Sequence, residues 1–250
     1  MRLVSAEILK LRRRRGLMIW SLILTVGCVL VAEVVLVVLH AVNAAHHGPA
    51  GGAENFKGVI LLLTGLGSVA AIIIGATAGT QDVANGVFRD LVVTGRKRTT
   101  LFNVRVPGAL CVFLPMLALG FALAIAVAFA FAGNRPTPSA SNIAKYAEYG
   151  LMITAINIVM AVGLASFASS RVVVGVLIAW NAIVSHILIS IRVLGSARKL
   201  IDVAAAEHFV PRGSNNTTIA MSTATALLVL LVWAAIFLGA GRWWTNRVDA

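Results

Sequence analysis

Six long apolar runs, with Glu33 as their one acidic residue and no Lys or Arg, constrain this chain more than any other feature. They lie at Leu17–His40, Val59–Ala78, Pro107–Ala132, Tyr149–Ala168, Val172–Ile191 and Ile219–Ala240. Each is close to the roughly 20 apolar residues that a helix needs to cross a hydrocarbon layer of about 30 Å. Inside lipid every backbone N–H and C=O must be paired within the segment, which leaves the helix as the assignment for such runs. The expected fold is therefore an all-α integral membrane protein of six transmembrane helices in one domain spanning 1–250. The spans are 17–40, 59–78, 107–132, 149–168, 172–191 and 219–240, with Pro115 placed to kink the third.

Composition agrees. Hydrophobic residues make up 59% of the chain and charged residues 12%, with a mean hydropathy of +0.93. A soluble domain carries about a quarter charged residues, so too little polar surface is present for a water-facing globule of this size. The net charge of +12 does not point to nucleic acid. The cations crowd at the edges of the apolar runs, and the clusters Arg12–Arg15 and Arg96–Arg98 carry no interleaved aromatics to stack on bases. Cys28 and Cys111 both sit inside apolar stretches and read as small hydrophobic filler, since two isolated thiols build neither a disulfide framework nor a zinc site. The first apolar run is longer than the 7–15 residues, roughly, of a signal-peptide core, so it is expected to remain as a span.

Orientation follows from the basic residues. With the N-terminus inside, the inner segments hold 14 Lys and Arg and the outer ones 7. Both termini are then expected in the cytoplasm. The outer connections are a Gly- and His-rich stretch at His40–Lys57, a Pro/Ser turn region at Arg135–Asn142, and a longer segment over 192–218 able to form short helices on the membrane.

Residues 1–16 admit two readings. Met1, Val4, Ile8 and Leu11 share one helical face, while Glu7, Lys10 and Arg12 point elsewhere, and Arg12–Arg15 follow. This suits an interfacial amphipathic helix with its apolar face in the acyl boundary. It also suits a plain positive-inside signal. The inner connection from Gly79 to Arg105 is too polar to span, yet it can hold a short helix from Val83 to Val93, with Thr94–Gly95 as its cap and Arg96–Lys97–Arg98 facing headgroups.

On these residues the chain resembles the permease subunits of type-2 ABC (ATP-binding-cassette) transporters. That family carries a short basic helix ahead of six spans. After the second span come an acidic residue, a Gly-Thr-x-Arg-x-Leu-like segment and a Gly/Pro–Ser–Arg-like turn. Here Asp82 stands near the acidic position, Gly86, Arg89 and Leu91 match the central segment, and Thr94, Gly95 and Arg98 match the turn. Val87 departs from the Thr common at its position, and Gln81 stands beside the acid. The resemblance implies that segment 83–98, with Asp90 beside Arg89, is a cytoplasmic coupling helix contacting ABC ATPase subunits. It also implies a second permease copy or a related permease as partner, and outward movement of a drug, peptide, lipid or glycolipid. The chain has no G-x-x-x-x-G-K-[ST] loop, so ATP and its Mg are expected in a separate subunit. No catalytic, cofactor-binding or metal-ligating set is expected in this chain. Arginine in excess of lysine, with abundant Ala and Val, suits a GC-rich bacterial source and hence a bacterial inner membrane.

Polar residues within the spans are Glu33, Asn157, Asn181 and His186. An intramembrane ionisable group usually marks a pathway, whereas Asn more often joins helices. Two other functions stay open: an ion-coupled secondary transporter or channel working through Glu33 and His186, and a membrane-embedded assembly or sensor protein. Ala71, Gly75 and Gly79, and Ala235 with Gly239, read as close-packing positions.

Overall fold

The computed structural model describes residues 2–44, 46–84, 86, 92–93, 95–210 and 219–247. A short helix, α1 (Arg2–Arg12), breaks at Arg13–Arg14 before α2 (Arg15–Val42). There follow α3 (Ala53–Ala84), α4 (Arg98–Ala130), α5 (Ala140–Leu164) and α6 (Ser170–Ser190). A 3-10 segment (Arg192–Leu200), a six-residue helix α7 (Asp202–Glu207) and α8 (Thr223–Arg247) complete the chain. Six of these helices, α2 to α6 and α8, are long and apolar enough to cross a membrane, and no strand occurs among the described residues. The protein is a multi-pass membrane protein.

Two helix starts lie ahead of their apolar runs because capping and backbone hydrogen bonds, not hydropathy, set them. The second span starts at Ala53 and continues to Ala84, where the apolar run covers only 59–78. The fourth starts at Ala140 rather than 149, because the Ser139 hydroxyl accepts the Asn142 N–H at 3.2 Å and caps the first turn. Helix α4 runs through Pro115 without interruption. The Gly-rich stretch before α3 is not a loose connection at its end. Gly51 and Gly52 donate to Phe131 O and Ala128 O at 2.8 and 2.9 Å, and Ala53 donates to Pro136 O at 2.8 Å. A Cβ at Gly51 would stand 2.5 Å from the Ala132 nitrogen, and Gly52 has φ +91°. Glycine here admits close backbone approach.

Helix α3 is the axis of the bundle. Two-thirds of its most apolar stretch (67%) is buried, against 17–22% for α2, α6 and α8, whose outer faces are left to lipid. Glycines set how closely α5 approaches it: a Cβ at Gly75 would meet the Ala161 Cβ at 2.8 Å, and one at Gly79 the Ala165 Cβ at 2.3 Å. On the other side of α5, Gly163 lies against the backbone of Phe237 in α8. Gly239 does not share this role, for its Cβ position is open.

Both described ends of the chain lie on one face. Thr245 donates to the Ser166 hydroxyl (3.5 Å), and Arg98 donates to Asn246 O (3.4 Å). These bonds join the end of α8 to the α5–α6 turn and to the start of α4. The opposite face carries the 3-10 segment and α7, held by two indoles. Trp180 donates to Asp202 Oδ1 (2.9 Å) and Trp233 to Leu200 O (2.8 Å), with the two rings 5.6 Å apart.

Candidate functional site

The N-terminal face contains a cluster of buried charge at the root of the connection between α3 and α4. Its first member is Asp82, two residues before the end of α3, which is 9% exposed. Asp82 Oδ1 accepts from Lys10 Nζ of α1 at 2.9 Å, and Oδ2 lies 3.8 Å from Arg105 Nη2 of α4. Lys10 also pairs with Glu7, one turn earlier on α1. Arg105 is 1% exposed and its guanidinium lies 6.0 Å from the Phe102 ring centre. Two carboxylates and two cations balance, as a low-dielectric position requires.

The backbone brings α1 close enough for this. Gly108 of α4 faces Glu7, and a Cβ there would fall 2.5 Å from Glu7 Cγ. Burial pushes the Glu7 carboxyl above its ordinary range, against the pull of Lys10. Glu7 and Lys10 thus do not point away from the apolar stripe into water, as helical spacing alone suggests. They face the bundle with Leu11, which has no exposed surface. Ile8 packs on the same core, so protein, not the acyl boundary, receives that part of the stripe. Arg12–Arg15 are exposed.

The other coupling residues divide. Gly86 and Gly95 adopt φ of +70° and +85°, and the Gly95 N–H returns to Val92 O at 3.0 Å, closing a turn. Arg98 begins α4. Arg89, Asp90, Leu91 and Thr94 lie outside the described residues.

The intramembrane polar residues do not form one pathway. Asn157 is fully buried in α5, and its Oδ1 accepts from Asn181 Nδ2 of α6 at 2.9 Å. Each amide also donates to a carbonyl one turn back in its own helix. Asn181 sits within a π-turn, Trp180–Val184, which re-aims the side chains around it. Glu33 is 5% exposed, so it turns into the bundle, and it has no ion pair among the described residues. His186 faces the opposite surface, with Nε2 at 3.7 Å from Glu207 Oε1. Burial raises the Glu207 carboxyl, and His186 opposes the rise.

The interhelical amide pair predicts a measurable coupling. Asn157→Leu and Asn181→Leu should each weaken the bundle in SDS-driven unfolding, and a double-mutant cycle should return about 0.6–1 kcal/mol between them. A coupling near zero would assign each amide to the carbonyl of its own helix alone.

Sequence reasoning missed Glu7, Lys10 and Arg105 as site residues, and Asp202 as a buried one. Asp202 has no exposed surface; burial raises its carboxyl and the Trp180 indole counters this. A signal was present in Arg105, a cation beside the Pro107–Gly108 start of an apolar run, which the charge count treats only as one of the 14 inner cations. The described residues hold no group of three or more His, Cys, Asp or Glu placed to bind a metal. No family model matches the chain, and no curated protein matches it significantly.

Proposed function

We propose that this chain is the membrane-spanning permease subunit of an ATP-binding-cassette exporter. It would sit in a bacterial inner membrane with both termini cytoplasmic and move a drug, peptide, lipid or glycolipid outward. ATP hydrolysis, with its Mg, would take place in separate ATPase subunits, and a second permease copy or related permease would complete the path. The observation that carries this reading is the buried cluster at the root of the α3–α4 connection. Lys10, Asp82 and Arg105 tie the ends of α3 and α4 to α1, so a force applied to the connection must move three elements together. A rigid root under a short, basic connection is what transmission from a soluble motor needs. The resemblance carried by Asp82, Gly86, Arg89, Leu91, Thr94, Gly95 and Arg98 supports the same reading, with Asp90 beside the contact residue.

Arg89 is assigned the contact with an acidic groove of the ATPase, because a guanidinium pairs bidentately with carboxylate. Arg89→Glu should leave insertion intact while reducing ATPase co-purification and substrate-stimulated hydrolysis at least tenfold, a loss of about 1.4 kcal/mol. Arg98→Gln should do less. Normal association and transport by an inserted Arg89→Glu protein would overturn the assignment. The buried, unpaired Glu33 favours one second reading, an ion-coupled transporter or channel. Flux by the purified chain without an ATPase, lost in Glu33→Gln, would select it.

A further inference from the structure

A groove of about 420 Å³ opens on the lipid-facing side between α4 and α8. Phe102, Val106 and Pro107 form one wall and Leu238 with Gly239 the other, while Asn103 and Arg242 stand at the end nearer the N-terminal face. The two helices touch where Gly241 lies against the Phe102 ring, a Cβ there falling 2.9 Å from Phe102 Cζ. Two residues earlier, Gly239 has no atom within 4 Å of its Cβ position. The missing side chain at 239 therefore leaves space that no neighbour fills.

The surroundings give the depth of this groove. Trp243 and Trp244 are 49% and 39% exposed, and Arg247 stacks over Trp243 at 4.2 Å. Exposed tryptophans beside a cation at a helix end mark the headgroup level. Arg242 is adjacent to them, exposed, and without an ion pair among the described residues. Gly239 lies three residues, or about 4.5 Å along the helix, further into the membrane. A cation thus stands at headgroup level directly above an apolar slot at acyl depth.

We propose that this groove is a binding site for an anionic glycerophospholipid of the leaflet on the N-terminal side. One acyl chain lies between Val106 and Gly239, and the phosphate meets Arg242. The charge of Arg242 complements the headgroup and selects anionic over zwitterionic lipid, and the apolar walls take the chain.

The test is native mass spectrometry of the whole protein in detergent, supplied with equal phosphatidylglycerol and phosphatidylethanolamine. The wild-type chain should retain phosphatidylglycerol preferentially. Arg242→Gln should lower that retention roughly fivefold, as expected for one headgroup cation. Gly239→Phe, which fills the slot in open space and leaves the charge in place, should lower retention of both lipids. Arg247→Gln controls for general surface charge and should change neither. The proposal is overturned if Gly239→Phe retains lipid like the wild type. It is equally overturned if Arg247→Gln reduces phosphatidylglycerol as much as Arg242→Gln, because the effect would then be diffuse charge and not a site.

Discussion

Arg105→Met should be the most damaging single substitution in this protein. The guanidinium is 1% exposed and faces Asp82, which also holds Lys10. Its removal leaves two buried carboxylates, Glu7 and Asp82, against the single charge of Lys10. Removing one partner of a buried pair costs about 3–5 kcal/mol, because the remaining charge stays desolvated without compensation. Met replaces the aliphatic stem but not the guanidinium, so a void adds to the electrostatic loss. SDS-driven unfolding in detergent should show the full loss, and α1 should become protease-sensitive as it leaves Gly108.

The cause can be separated from packing. Arg105→Met with Asp82→Leu removes one charge of each sign and leaves Glu7 paired with Lys10. Replacing a buried pair by apolar groups is often neutral, so the double variant should recover more than half of the single variant's loss. If the double variant unfolds as easily as Arg105→Met alone, charge balance is not what holds this corner together. The same comparison bears on function. A double variant that folds but no longer couples to an ATPase would separate the cluster's mechanical part from its stabilising part.

Gly163→Ala should be the second most damaging change, and for an unrelated reason. A Cβ at this position would lie 2.4 Å from Phe237 O and 2.7 Å from Phe237 C, backbone atoms of α8 that have no rotamer to change. The methyl group is accommodated only by moving α8 away from α5. That movement also opens the contact of Gly241, whose Cβ would fall 2.9 Å from Gly163 O. Overpacking costs about 1–3 kcal/mol when side chains can yield, and a backbone obstacle places this site at the upper end. Gly175→Ala in α6 is the matched control, since nothing lies within 4 Å of its Cβ position. It should be neutral or slightly stabilising, as alanine is the better helix former by up to about 1 kcal/mol. Equal effects of the two substitutions in the same unfolding assay would show that α5 and α8 are not in backbone contact.

The six spans and the all-α fold were legible because each follows from a local property, the length of an apolar run. Short helices after the fifth span were legible for a similar reason, from an Ala- and Val-rich segment between breakers. Helix ends were less so: Ser139 moved one start by nine residues, and backbone bonds from Gly51–Ala53 moved another by six. What hydropathy does not carry is which side of a span meets protein and which meets lipid, since both surroundings are apolar. Gly75 and Gly239 read alike in sequence, yet one is pressed against Ala161 and the other faces open space. Helical spacing likewise assigned Glu7 and Lys10 to a polar face. Their partners, Asp82 at a separation of 72 residues from Lys10 and Arg105 beyond it, exist only after α1, α3 and α4 pack. The sequence by itself determined that this chain lives in a bilayer and how many times it crosses. The packing of α1 onto α3 and α4 decided which charges are buried, because desolvation and ion pairing depend on distances that no local pattern contains.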